Sequence, residues 1–246
     1  MRKILAVLAV GACLMAFASC GNKSARSFVR IVNAAPDAGA ITVSINGNGI
    51  LTAAAYGTGS NYFTVTPGTN ISLKITGATA GQIDTKIGLT DKVYYTIAVV
   101  GLTAAPSTFT ILQTEDDHTP PAANDVKIRV LQLDPMYHVN PGDSGIVDAY
   151  ITTPTAALNG LNPNFPAIGF QSTPSWVSIT VPGDGNLRIR IAPGGSTAPD
   201  TSYQQLQGWD SQTVLFKTGQ VRTYVLLYNP SLTPFSEQSI FLDDLN

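Results

Sequence analysis

Past residue 27 the chain is a series of short segments in which apolar and polar residues alternate. Ile41, Val43 and Ile45 form one such run, Ile71, Leu73 and Ile75 another, and Leu187, Ile189 and Ile191 a third. A two-residue period places alternate side chains on opposite faces of a strand. Clusters of Gly, Pro, Asn and Ser separate the segments, as turns separate strands. No window sustains the 3.6-residue apolar period of a helix, and Ala53-Ala54-Ala55 is too short and too closely flanked by glycine to form one. The pattern predicts an all-β protein.

The segments also recur in order. Val29-Arg30-Ile31-Val32-Asn33 has a counterpart in Ile128-Arg129-Val130-Leu131-Gln132, and Ile41, Val43 and Ile45 alternate as Val147, Ala149 and Ile151 do. Tyr56-Gly57 recurs, reordered, as Gly169-Phe170. Tyr62 to Gly68 matches Trp176 to Gly183, and Val93 to Val99 answers Val221 to Leu227. Phe109 to Leu112 answers Ser239 to Leu242. This is the signature of a tandem duplication. It divides the chain into a first repeat over 28–113, an acidic and proline-bearing linker over 114–125, and a second repeat with longer loops over 126–246. Strands of this number in copies of roughly 100 residues imply two tandem Ig-like or transthyretin-like antiparallel β-sandwiches, each with its own core. Pro67-Gly68 and Pro182-Gly183 suit type II turns joining antiparallel strands.

Val29 to Ala38, then Ile41 to Gly47, Tyr56-Gly57 and Val65-Thr66-Pro67-Gly68, resemble the bacterial domain of unknown function 4397. The resemblance is close over 28–113 and looser over 126–243, where Asp134-Pro135 stands for Ala-Pro-Asp. It implies an extracytoplasmic all-β domain, often tandem and often carried by lipoproteins. It implies no reaction and supplies no catalytic residues.

The N-terminus reads as an address. Met1-Arg2-Lys3 is positive, and Ile4 to Ala18 is apolar and uncharged. As a helix that run rises about 22 Å, short of the ~30 Å hydrocarbon core but suited to a signal peptide. It closes in Ala18-Ser19-Cys20 and turns polar at once. This resembles the bacterial lipoprotein signal, which implies removal of residues 1–19, lipidation of Cys20 and a short tether over 20–27. Cys13 ranks below Cys20 because cleavage there would leave a hydrophobic N-terminus. Removing Arg2 and Lys3 from the 14 basic residues leaves 12 against 16 acidic ones, a net charge of −4. The expected location is the bacterial cell envelope, lipid-anchored, at the outer membrane. The acidic balance argues against nucleic acid as a partner.

Candidates for chemistry are few. Charged residues make up 12% of the chain and there are two histidines, His118 in the linker and His138 in a loop of the second repeat. Neither has an evident triad partner, no Gly-x-Ser-x-Gly occurs, and lipidation would consume the last thiol. No catalytic residue, cofactor or metal is therefore expected. Glu115, Asp116 and Asp117 form a compact acidic triplet that could offer oxygen ligands to calcium. A solvated acidic linker accounts for them more simply.

The second repeat carries insertions over Pro135–Gly145, Thr153–Pro166 and Pro193–Gln212. Counting strands as alternately up and down groups the first and third at one end, which brings Tyr137, His138, Tyr203 and Trp209 onto one candidate binding rim. The expected function is a lipid-anchored binding or structural module of the bacterial envelope, with a glycan or an envelope protein as partner. The alternatives are a hydrolase with an unrecognised carboxylate site and an accessory subunit of an outer-membrane assembly.

Overall fold

The computed structural model describes residues 24–245 except 80, 105–106, 137–144, 159, 195–210, 212 and 229–236. Strands occur throughout these residues, and there is no helix among them. The first half contains β1 (Ser27–Asn33), β2 (Ile41–Ile45), β3 (Asn48–Ala54), β4 (Thr58–Gly59), β5 (Phe63–Val65), β6 (Gly68–Gly77), β7 (Gln82–Leu89), β8 (Tyr94–Val100) and β9 (Thr110–Asp116). The second contains β10 (Asp125–Gln132), β11 (Ile146–Thr152), β12 (Phe165–Gly169), β13 (Val177–Thr180), β14 (Asn186–Pro193), β15 (Val214–Leu215), β16 (Val221–Tyr228) and β17 (Glu237–Leu245).

One strand order occurs twice. In the first half, the β4-β1-β8-β9 sheet, with β5 also on β1, faces the β3-β2-β6-β7 sheet. In the second, β13-β10-β16-β17 faces β12-β11-β14-β15. Each sandwich departs from a purely antiparallel arrangement at one place, because β1 runs parallel to β8 and β10 parallel to β16. The whole intervening sandwich makes the long crossover that a parallel pair requires.

Strand alternation explains the packing. Val29 and Ile31 of β1 and Tyr95, Ile97 and Val99 of β8 point into the first sandwich, against Ile41, Val43, Leu73 and Ile75. Val126, Ile128 and Val130 of β10 point into the second, against Val147, Ala149, Ile189 and Ile191. The other face of these strands is buried as well. Val32, Ala34, Ala98 and Val100 pack against Leu131, Leu133, Val225 and Leu227 in a third core between the sandwiches. The molecule is therefore four sheets deep, and its two central sheets are covered on both sides. Strands buried on both faces read as near-continuous apolar runs, as Val29 to Val32 and Val225 to Leu227 do.

Three details differ from the sequence reading. The register sets Arg30 opposite Thr96 and Arg129 opposite Thr223, so Tyr94 corresponds to Val221 and the late alignment shifts by one residue. Pro67-Gly68 does not close a hairpin: the chain there passes from β5 in one sheet to β6 in the other. Gly68 and Gly183 are absent from the positive-φ positions, whereas Gly185 takes φ 73° and donates its N–H to the Pro182 carbonyl. Finally, β9 runs through Asp116, which confines the connection between the sandwiches to Asp117–Asn124.

Candidate functional site

The third core is apolar except at one end, where each sandwich inserts an arginine. Arg30 on β1 and Arg129 on β10 are the repeat-equivalent residues, with side chains only 2% and 3% exposed. Such burial is costly for a guanidinium unless it is paired and hydrogen-bonded. The partners come from the last strand of each half. Arg30 Nη2 donates to Asp244 Oδ1 at 2.5 Å and to Asp116 Oδ2 at 3.5 Å. Arg129 Nη2 donates to Asp116 Oδ1 at 2.6 Å. Two positive and two negative groups thus balance, and the short contacts cross from one sandwich to the other.

Threonines on the neighbouring strands complete the set. Thr96 accepts from Arg30 Nε and Nη2 at 3.1 and 2.8 Å and donates to Asp116 at 2.6 Å. Thr223 accepts from Arg129 at 3.0 Å and donates to Asp244 at 2.9 Å. Each arginine also reaches a strand-edge carbonyl, Arg30 that of Asp243 at 3.2 Å and Arg129 that of Glu115 at 3.0 Å. An aromatic ring lies over each guanidinium: Tyr62 at 4.8 Å from Arg30 and Trp176 at 4.5 Å from Arg129. Tyr62 also donates its hydroxyl to Asp116 at 2.8 Å. The arrangement is a near two-fold repetition of arginine, threonine, aspartate and aromatic.

Ionisation follows from this geometry. Burial lifts the Asp244 carboxyl above its ordinary range against the pull of Arg30, and the Asp116 charge pushes the same way. For Arg30 burial acts downward, but Asp244, Asp116 and Tyr62 together carry it above its ordinary value. Burial raises the Tyr62 phenol so far that it remains a donor at neutral pH. His118 stacks on Tyr94 with ring centroids 3.5 Å apart and meets the edge of Tyr62 at 5.3 Å. Burial lowers its pKa.

Beside the network a cleft of about 300 Å³ opens on the seam between the sandwiches. Gly59, Ser60, Asn61 and Tyr62 line it from the first sandwich, Phe241, Leu242 and Asp243 line it from the second, and Arg30 completes it. Glycine at position 59 lets the β4 segment approach β17, since a Cβ there would run into Leu242 Cδ2.

Of the residues singled out from sequence, Cys20, Tyr137, His138, Tyr203 and Trp209 lie outside the described residues. The acidic triplet is split. Asp116 is buried in the network, Glu115 is exposed on the opposite face of β9, and Asp117 accepts from Lys127 Nζ at 2.7 Å. Among the described residues, no group of three His, Cys, Asp or Glu side chains is placed to hold a metal ion. The second insertion covers its own sheet. Arg190 donates to the carbonyls of Pro154 and Ala156, and Leu158 packs on Tyr150 and Ala192.

The aromatics at matched repeat positions, Tyr56/Phe170 and Tyr62/Trp176, pack against the core between the sandwiches or over its arginines. Tyr56 and Phe170 border the third core, and the Tyr56 hydroxyl donates to the Tyr228 carbonyl of the other sandwich. Sequence reasoning passed over Arg30, Arg129, Thr96 and Thr223. The available signal was an arginine at the same place in two otherwise apolar runs.

The first sandwich and one arginine of the second coincide with a family match. Residues 27–140 match the model of the Domain of unknown function (DUF4397). The chain resembles that family over this stretch, which includes Arg30, Tyr62, Thr96, Asp116 and Arg129 but not Thr223 or Asp244. No curated protein matches the chain.

Proposed function

We propose that this chain is a lipid-anchored extracytoplasmic module of the bacterial envelope, built from a duplicated unit, that binds or scaffolds rather than catalyses. The observation that carries the reading is the buried Arg30–Asp244 and Arg129–Asp116 network. It uses four buried charged groups to fasten two sandwiches face to face. Asp116 and Asp244 are each satisfied by arginine and threonine, so neither is free for acid–base work. A fastened pair of sandwiches presents loops and seam in fixed relation, which suits recognition.

The anchor is assigned to Cys20, on the short uncharged run that ends in Ala-Ser-Cys. Several acyl chains at ~0.8 kcal/mol per buried CH₂ hold a protein to a membrane stably. Metabolic labelling with a radioactive fatty acid tests the assignment. The native chain should incorporate label and fractionate with membranes, and Cys20→Ala should lose the label. Undiminished labelling of that variant would overturn the anchor. A pull-down from native envelope with the anchor intact tests the binding role: a retained glycan or protein supports it, and an empty eluate argues against it.

A further inference from the structure

We propose that the seam cleft binds a neutral polyhydroxylated ligand, a short stretch of saccharide. The inference rests on the binding-module reading and names the ligand class.

Charge is the first argument. Arg30 at the cleft is held by Asp244 at 2.5 Å and by Asp116. At the rim, Asp243 receives Arg222 Nε at 2.7 Å. Every charged side chain lining the cleft already has an opposite partner. An anionic ligand would meet the Asp243 carboxylate, and a cationic one would meet Arg30, in neither case with a spare counter-charge. A neutral ligand avoids both conflicts.

Polarity is the second. Asn61 is exposed at the cleft, and among the described residues its carboxamide makes no hydrogen bond. It offers two donor hydrogens and an acceptor oxygen. Its backbone is held in place, because the Ser60 hydroxyl donates to the Asn61 carbonyl at 2.8 Å and accepts the Ile31 N–H at 2.9 Å. Asp243 is 44% exposed and engages Arg222 through Oδ1, leaving Oδ2 as an acceptor. Adjacent hydroxyls on a sugar ring each donate and accept, and a carboxamide beside a carboxylate matches that alternation. An apolar ligand would strand these groups unpaired.

Position and size are the third. The two walls belong to different sandwiches, and the buried network next to the cleft holds them at fixed spacing, so little ordering is left for the ligand to impose. Small-molecule sites favour such junctions, and ~300 Å³ is the lower end of their usual volume.

The test is calorimetric titration of the full chain, solubilised in detergent with its anchor, against cellobiose, maltose and chitobiose. At least one neutral disaccharide should bind saturably. Asn61→Ala should weaken that binding by about tenfold or more with an unchanged melting temperature. Asn48→Ala, in a separate cleft lined by Ile45, Asn46, Ile50 and Thr64, should leave it unchanged. The proposal is overturned if none of the three sugars binds, if Asn61→Ala binds as tightly as the parent, or if Asn48→Ala is the variant that loses binding. Failure of all three sugars with a partner still retained in the envelope pull-down would remove the saccharide site alone. An empty pull-down as well would remove the binding-module reading.

Discussion

Replacing Arg30 with Met removes one of two positive charges from a sealed network of four. Asp244 would keep its bond from Thr223 at 2.9 Å, while Arg129 stays committed to Asp116. One carboxylate is then uncompensated between two sheets, a change that costs about 3–5 kcal/mol. The alternative is for that carboxyl to take up a proton. From the usual aspartate value of 3.8 to pH 7, protonation costs about 4 kcal/mol at ~1.4 kcal/mol per unit. The two routes agree, so the deficit at pH 7 is about 4 kcal/mol. In a chain of this size that is a fall of about 8–16 °C in melting temperature.

Because protonation relieves the imbalance, the deficit of Arg30→Met should shrink as pH falls toward 4. The double variant Arg30→Met/Asp244→Asn keeps a balanced Arg129–Asp116 pair and leaves no uncompensated charge between the sheets. It should be more stable than Arg30→Met alone. Urea unfolding of the parent, both single variants and the double at pH 7 and pH 4.5 completes the cycle. A single-variant loss within about 1 kcal/mol of the parent, or two losses that simply add, would refute the reasoning.

Other expectations concern the backbone and titration. Gly101 takes φ +86°, and a Cβ there would run into the Thr108 carbonyl oxygen, so Gly101→Ala should lower stability by about 1–3 kcal/mol in chemical denaturation. His118 has a folded pKa below the usual imidazole value of 6.5, so its contribution is fully present above pH 6.5 and is lost as pH falls through the folded value. His118→Phe retains a ring to stack on Tyr94 and should flatten stability against pH below 6.5; an unchanged slope would contradict that assignment.

Much of the architecture was legible because it rests on local pattern. Alternation at Ile41, Val43 and Ile45 and at Ile71, Leu73 and Ile75 placed strands correctly, and the number of strands in each repeat pointed to a sandwich. What the pattern could not supply was a partner for the second face of β1, β8, β10 and β16. Val32 and Ala98 look like any other apolar residues until Leu131 and Val225 are found against them. The same gap hid the site. An arginine in an apolar strand has several meanings in one chain, and only the tertiary approach of β9 and β17 brings Asp116 and Asp244 to it. The acidic triplet was misleading for a physical reason: Glu115 and Asp116 are neighbours in β9 and point to opposite faces, so they cannot share one ion.

The central claim is that the sandwiches form one fastened unit and do not merely sit side by side on a tether. A protease site inserted between Pro121 and Ala122, in the Asp117–Asn124 connection, allows that link to be cut after folding. Size-exclusion chromatography with light scattering then reads the mass of the cut protein under native conditions. The third core and the crossing Arg–Asp pairs predict a single species at the mass of the uncut chain, separating only in denaturant. Two half-size species at neutral pH without denaturant would contradict it.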